Sequence, residues 1–387
     1  MWRECVREIE RVITALAIDA QTRTTLDLPD GADAAALGIA AFTSGTGPLL
    51  GVHVEAGRLI AEPAVRALLA LHLAHGRRRA ERQTAALAAV LDVLTAAGIV
   101  ATVVKGAHTA HGWFPEPAAR PAADIDLVVP PVDRERAGAA LAAAGYVPTV
   151  RQSRPYKCDW VPPGMPAALR SMSLAHGDAP FAIEMHDSLE RVFYGVRTVT
   201  PGVVDERTTE PWPALHPGAR ALSQPLLAAF LATHASEELH QIQLVKLLEL
   251  ALVLRADAAS GALEWNGLAD LLDGSGATRF AYPAFALADR LVPGTLDPAF
   301  RKRITAAATP RIRRFVDRLR PADAQRLDRL SLEERFLWAR GPIEFVRRAA
   351  YLIWPRHAGR SVRPIRTVYV ERLYRILRGD VSLRDRP

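Results

Sequence analysis

Two short β-branched runs, residues 99–104 and 126–129, stand in the middle of a chain whose apolar residues otherwise recur at helical spacing. That contrast is the strongest limit on what the chain can build. The second run, DLVV, is closed by Pro130-Pro131. Between the runs lie a short helix candidate from Gly106 and a Pro-rich loop, WFPEPAARPAAD. After Asp133, RERAGAALAAAGY predicts a helix stopped by Gly145. Residues 146–150, 158–161, 171–175 and 181–186 read as further strands, by alternation or β-rich content. Strand, helix, strand, helix and then several strands predict a mixed sheet.

The flanks are helical. In residues 1–98, positions 4–18 have helix-period apolar residues, a Gly- and Thr-rich stretch at 43–51 breaks the pattern, and 63–97 form one long helix or a kinked pair. Pro63 suits the first turn, where its missing N–H costs nothing. In residues 215–387, segment 224–258 reads as one long helix, followed by helices at 311–320, 332–354 and 365–377. The expected division is therefore 1–98 helical, 99–200 an α/β core and 215–387 helical, an α+β fold.

The chain has 387 residues and a formal charge of +7. A positive chain can serve nucleic acid or a membrane surface. Here only Lys105, Lys157, Lys246 and Lys302 are lysines, so arginine is the default base and its abundance carries less meaning. No interleaving of aromatic and basic residues marks a single-stranded nucleic-acid platform, and nucleic acid is not the expected partner. Cys5 and Cys158 are far apart and in no metal-like spacing, which suits a reducing compartment. The first residues lack the apolar core of a signal peptide, and no apolar run approaches membrane-spanning length. The expectation is a soluble cytoplasmic protein without membrane insertion.

The chemistry gathers around Asp124-Ile125-Asp126. Residues i and i+2 of a strand point to one face, so the two carboxylates should converge. Two carboxylates this close repel, and one is driven toward protonation unless a cation lies between them. Mg²⁺ takes hard oxygen ligands and binds one or two carboxylates together with substrate phosphates. A third acid is expected on a neighbouring strand; Glu184 is the candidate, sharing its strand face with His186. Lys105 and Gly106 end the preceding strand and open a helix, a place where backbone N–H groups and a point charge meet phosphate. Arg120, four residues before Asp124, brings a planar fork to the same phosphates.

The run VVKGAHTAHGWFPEPAARPAADIDLVV resembles the bacterial uncharacterised nucleotidyltransferase family, a branch of the polymerase-β-like superfamily. Lys105, Gly106, Arg120, Asp124 and Asp126 fall on its pattern of strand, Lys-Gly, short helix, aromatic-Pro-acidic-Pro loop, Arg and Asp-Ile-Asp. Ile183-Glu184-Met185-His186 is similar to its acid-x-His strand. His234 and the run from Lys246 to Glu249 are similar to its later helix. The resemblance implies a polymerase-β-like core, one or two Mg²⁺ ions on Asp124, Asp126 and Glu184, and a nucleoside triphosphate, ATP first, held by Lys105, Gly106, Arg120, His186 and Lys246. The resemblance does not supply the acceptor, which is expected to be a small molecule or a peptide.

Plainer readings stand beside these. Glu184 is also readable as a solvent-facing strand residue, and His186 as a wall histidine. His108 and His111, three apart, read as pocket lining or surface. His186-Asp187 lacks the helical partners of a phosphohydrolase pair. Lys246 and Glu249 are spaced for a local ion pair on the helix they would share with His234. The alternative function is a catalytically decayed nucleotide-binding adaptor or sensor with a protein or peptide partner.

Overall fold

The computed structural model describes residues 1–149, 156–165, 180–193, 196–326 and 331–353. The strand expected at 171–175 and the helix expected at 365–377 lie outside the described residues.

The first region runs α1 (Trp2–Ile18), β1 (Thr24–Leu26), α2 (Ala34–Thr43), α3 (Gly47–Glu55), β2 (Leu59–Ala61) and α4 (Pro63–Ala96). The Gly- and Thr-rich stretch becomes the turn between α2 and α3. The α4 segment is one unbroken helix of 34 residues with Pro63 in its first turn. Its internal Gly76 has a packing reason, because a Cβ there would lie 3.1 Å from the Ala118 carbonyl and from the Pro48 ring.

The central region continues with β3 (Ala101–Val104), α5 (Gly106–Gly112), β4 (Ile125–Val128), α6 (Arg134–Ala143), β5 (Val147–Pro148), β6 (Lys157–Val161), β7 (Ile183–His186), β8 (Arg191–Phe193), β9 (Arg197–Val199), β10 (Thr209–Pro211) and β11 (Ala219–Leu222). Seven strands form a mixed sheet in the order β10-β11-β3-β4-β7-β6-β5. The pairs β11–β3 and β4–β7 are parallel and the others antiparallel.

Strand alternation divides the sheet's two faces. Val103, Ile125, Leu127, Ile183 and Met185 pack with Leu87, Val90, Leu91 and Leu94 of α4 and with Leu141 of α6. Val104 and Val128 join a second, larger core. Asp126, two residues from Val128, therefore faces that second side.

The larger core is built mainly by α1 to α3, the start of α4, and the helices that follow the sheet. These are α7 (Leu226–Glu237), α8 (Leu244–Ser260), α9 (Trp265–Gly274), α10 (Thr278–Leu291), α11 (Pro298–Ala307), α12 (Pro310–Asp317), α13 (Pro321–Ala324), α14 (Leu332–Arg335) and α15 (Gly341–Ile353). Residues distant in sequence thus share one apolar interior: Cys5, Leu50, Leu248 and Trp338 belong to the same cluster.

Two expected helices are each divided in the structure. Segment 224–258 is α7 and α8, interrupted at 238–243. The interruption is tertiary in origin. The Gln243 amide donates to the Thr43 carbonyl and the Val245 N–H to the Ser44 carbonyl, so the turn between α2 and α3 takes hydrogen bonds from the chain where it enters α8. Segment 332–354 likewise splits into α14 and α15, with Gly341 in the left-handed region at φ 75° where the second begins.

Among the described residues no single helix is long and apolar enough to cross a membrane. The α2–α3 pair is apolar enough when taken together, but it is bent by 115° and contributes Leu37, Ala40, Leu49 and Leu50 to the core.

Phe193 of β8, Phe280 of α10 and Trp338 form an aromatic knot, with ring centroids 4.5 to 5.6 Å apart. Phe280 is fully buried. Phe280→Ala is expected to cost about 3–5 kcal/mol, read as a lower urea midpoint; a loss below about 1 kcal/mol would show that the knot relaxes around the cavity. His53, buried in α3, supplies a pH test. Burial, helped by Arg58, lowers its pKa to about 4, whereas in the unfolded chain it protonates near pH 6.5. Its contribution is complete above about pH 6.5 and is lost as the pH falls toward 4, by about 1.4 kcal/mol per pH unit. Urea midpoints of the wild type and His53→Gln at pH 5 and 7 should differ by this single-proton slope; parallel midpoints would refute it.

Candidate active site

The strand β3 delivers Lys105 to the sheet's second face. Lys105 is the only described non-glycine residue with positive φ, at 54° with ψ −133°, and this turn starts α5. Its buried Nζ lies 2.5 Å from Asp126 Oδ1. The parallel register of β4 and β7 sets Asp126 opposite Glu184 and Val128 opposite His186. On the next strand, β6, Asp159 pairs with Glu184 and Lys157 with His186. The acids Asp126, Glu184 and Asp159 thus form a row across three strands.

Two ammonium groups and an imidazole hold this row together. The Lys157 Nζ is 2.5 Å from Glu184 Oε1 and 3.3 Å from Asp159 Oδ1. His186 Nε2 is 3.1 Å from Asp126 Oδ1 and 3.6 Å from Glu184 Oε2. Ligand atoms of Asp126, Glu184 and His186 all lie within 4.8 Å of one another, so this buried triad can hold a metal ion. Asp124, half-buried just before β4, stands outside that triad. Sequence spacing alone had set Asp124 and Asp126 together, whereas the structure puts Glu184 and His186 next to Asp126.

The charges follow from these contacts. Burial would raise the pKa of Asp126, but the Lys105 ammonium and the His186 hydrogen bond hold it below the usual value. Glu184 is likewise held well below it, against burial, by the nearby His186 imidazole and then Lys157 and Lys105. Asp124 has no such neighbour in contact. Burial, and then the charges of Glu184 and Asp126, push it well above the carboxylate range. Burial also raises Asp159, to about 6, against the opposing pull of Lys157.

A second layer closes the site from the helical side. Arg120 lies on the loop before Asp124 and makes a bidentate buried pair with Glu249 of α8, at 3.1 and 2.8 Å. Glu249 also accepts a hydrogen bond from Thr109 of α5. A Cβ on Gly106 would lie 2.6 Å from Arg120 Nη1, so the space this glycine leaves is occupied by the guanidinium. Lys246 is paired with Glu238 at 2.6 Å rather than with Glu249, and His234 sits on α7, a different helix. The expected Lys246–Glu249 pair and shared helix are corrected accordingly. His234 is held well below its usual pKa by burial and then by Lys105, Arg191, Lys246 and Arg120. His108 and His111 pack edge-on against Trp212, and His108 also against Trp113; they form an aromatic corner. Asp187 pairs with Arg134 at 2.5 Å.

A model of the uncharacterised nucleotidyltransferase family matches residues 30–293, a span that includes every residue of this site. The chain belongs to that family. No curated protein and no solved structure matches it. The general chemistry assigned to the family is nucleotidyl transfer, and this member carries a carboxylate-and-imidazole triad able to bind metal.

Three parts of this family member's site went unread in the sequence. Lys157 and Asp159 flank the triad, and the one available signal was the rarity of lysine, which marks Lys157 as it marks Lys105. Arg191 had no signal among so many arginines. Arg79, in the middle of α4, is 2 % exposed and donates to the carbonyls of Ala122 and Ala123, fixing the loop that leads into Asp124.

Gly106→Ala should force Arg120 away from Glu249 and cost about 1–3 kcal/mol of stability. Thermal unfolding of the variant beside Arg120→Lys checks this; an unshifted melting temperature for Gly106→Ala would mean that Arg120 gives way freely.

Proposed function

We propose that the chain transfers a nucleoside monophosphate from a nucleoside triphosphate, ATP first, to a small-molecule or peptide acceptor and releases pyrophosphate. The observation that carries this reading is the parallel β4–β7 register, which seats Glu184 beside Asp126 in a chain of the nucleotidyltransferase family. We also read the sheet as polymerase-β-like, on the order strand, Lys-Gly turn, short helix and acid-bearing antiparallel strand. Cys5 and Cys158 are both free thiols, which supports a reducing cytoplasm as the place of action.

The donor set suits Mg²⁺, because Asp126 and Glu184 offer hard carboxylate oxygens. The like-charge pressure on Asp124 is a second argument, since a divalent cation among Asp124, Asp126 and Glu184 relieves it. Those three residues would hold one or two ions, which supply neutralisation of phosphate charge and a more acidic acceptor hydroxyl.

The remaining steps belong to the chain. His186 orients the Asp126 carboxylate through its 3.1 Å contact. Lys105 turns its ammonium from Asp126 to the donor's phosphates, and Lys246 adds charge from α8. Arg120 has three of its five N–H donors engaged by Glu249 and Pro121 and offers the others to phosphate, with Gly106 keeping the space beside it. The acceptor oxygen attacks the α-phosphorus. The bond to the bridging oxygen breaks, and that oxygen leaves with the electron pair on pyrophosphate. The hydroxyl proton passes to solvent water as the bond to phosphorus forms.

The test is a transfer assay with Mg²⁺, each α-labelled nucleoside triphosphate and cell extract as the acceptor pool. Label should move with the wild type, and the Asp124→Ala/Asp126→Ala protein should lose at least about 10²-fold in rate. A fully active double variant would overturn the reading. One observation favours a second reading, a nucleotide-binding adaptor or sensor with a protein or peptide partner: Lys105 and Lys157 already neutralise the triad's acids. In that case nucleotide binds and no label moves.

A further inference from the structure

We propose that Arg191, His234 and Lys246, together with Lys105, form a pocket for a phosphoryl group on the α7 side of the triad. This rests on the reading of the chain as a nucleotidyltransferase and adds to it a set of residues that read phosphate.

The first observation is an idle guanidinium. Arg191, at the start of β8, is 4 % exposed, yet among the described residues its Nε and Nη2 have no hydrogen-bond partner. Its Nη1 lies 3.8 Å from Glu237, at the outer limit of an ion pair. Buried polar atoms are almost always paired, and a buried cation with two open donors is among the costliest exceptions. Nε and one Nη of arginine form the fork that binds two oxygens of a phosphate or carboxylate side by side.

The second observation is independent of the first. His234 Nδ1 is also buried and has no partner among the described residues. The two groups meet at one ring. Arg191 Cζ is 5.0 Å from the Phe230 ring centroid, the His234 ring stacks on Phe230 at 6.1 Å, and Lys105 Nζ is 5.9 Å from the same ring. Burial, with Lys105, Arg191, Lys246 and Arg120 around it, keeps the imidazole neutral, so it carries one N–H donor. The surrounding acids are committed elsewhere: Asp126 to Lys105, Glu238 to Lys246 and Glu249 to Arg120, and Glu237 stands 3.8 Å from Arg191.

A carboxylate would be satisfied by the arginine fork alone. An imidazole and the Lys105 ammonium at the same ring suit a tetrahedral dianion with more oxygens to bind, and Lys246 adds positive charge toward His234. Because Lys105 reaches both this space and Asp126, the pocket adjoins the triad. Its occupant is either the outer phosphates of the nucleotide or a phosphoryl group carried by the acceptor.

The experiment is calorimetric titration of the full chain with inorganic pyrophosphate in the absence of divalent metal, for the wild type, Arg191→Gln, Arg191→Lys and Lys246→Gln. The wild type should bind, Arg191→Gln and Lys246→Gln should each bind at least tenfold more weakly, and Arg191→Lys should recover part of the loss. Lys246 is on the half-buried rim, so its variant keeps the test alive if Arg191→Gln does not fold. Titration with a non-hydrolysable ATP analogue then separates the sources. A parallel loss assigns the pocket to the nucleotide's outer phosphates, and an unchanged affinity assigns it to a second phosphoryl group. No pyrophosphate binding to the wild type, or equal binding to folded Arg191→Gln and Lys246→Gln, overturns the proposal. The metal-free readout separates the two ideas. Pyrophosphate binding without transfer activity leaves the pocket and removes the enzyme, and transfer activity with equal pyrophosphate binding does the reverse.

Discussion

The parallel pairing of β4 with β7 is the constraint on which the rest of the site depends. Its register leaves Asp126 and Glu184 side by side on one face, with Asp159 next in line on β6. Three acids in a row on adjacent strands repel, and like charges directly opposite weaken a sheet. Here the cost is offset by Lys105 and Lys157, whose ammonium groups each lie 2.5 Å from a carboxylate, and by the imidazole of His186 between Asp126 and Glu184. Asp124, with no ammonium in contact among the described residues, and Asp159 are the acids driven toward protonation.

The surroundings keep this arrangement in place. The long helix α4 belongs to both cores, contributing Val65 and Leu69 to one and Leu87 to Leu94 to the other. Between these stretches Arg79 binds the carbonyls that lead into Asp124. From the opposite side the Arg120–Glu249 pair joins that same loop to α8. Breaking such a buried bidentate pair costs about 3–5 kcal/mol, so the pair serves to hold the loop, the short helix α5 and α8 in one arrangement. The open donors of Arg191 and His234 contrast with this well-paired layer.

Much of the sheet was legible because its signals are local. β-Branched runs ended by Pro or followed by Lys-Gly mark β3 and β4, and strand alternation correctly separates Ile125 and Leu127 from Asp126. Glu184 and His186 were legible as one strand face, and the register shows what that face meets. The interruption between α7 and α8 was not legible, since the apolar period runs through it while hydrogen bonds to Thr43 and Ser44, about 200 residues away, and from Arg326 hold the segment. The partners of Lys246 and Glu249 were misread for the same reason: at a spacing of three they are compatible with each other, but Glu238 and Arg120 are better placed in space.

The sequence by itself determined the elements and their chemistry: the two strands, the Lys105-Gly106 turn, the acids at 124, 126 and 184, and the family whose pattern they follow. Those features are encoded in residue type and short-range spacing, which the backbone obeys wherever the segment is placed. Only the tertiary structure decided which acid stands next to which, that Lys157 and Asp159 belong to the same row, that Gly106 makes room for Arg120, and that Arg191 and His234 meet at Phe230. These outcomes depend on strand register and on packing between distant segments, where an ion pair forms with whichever partner the apolar core brings within about 4 Å.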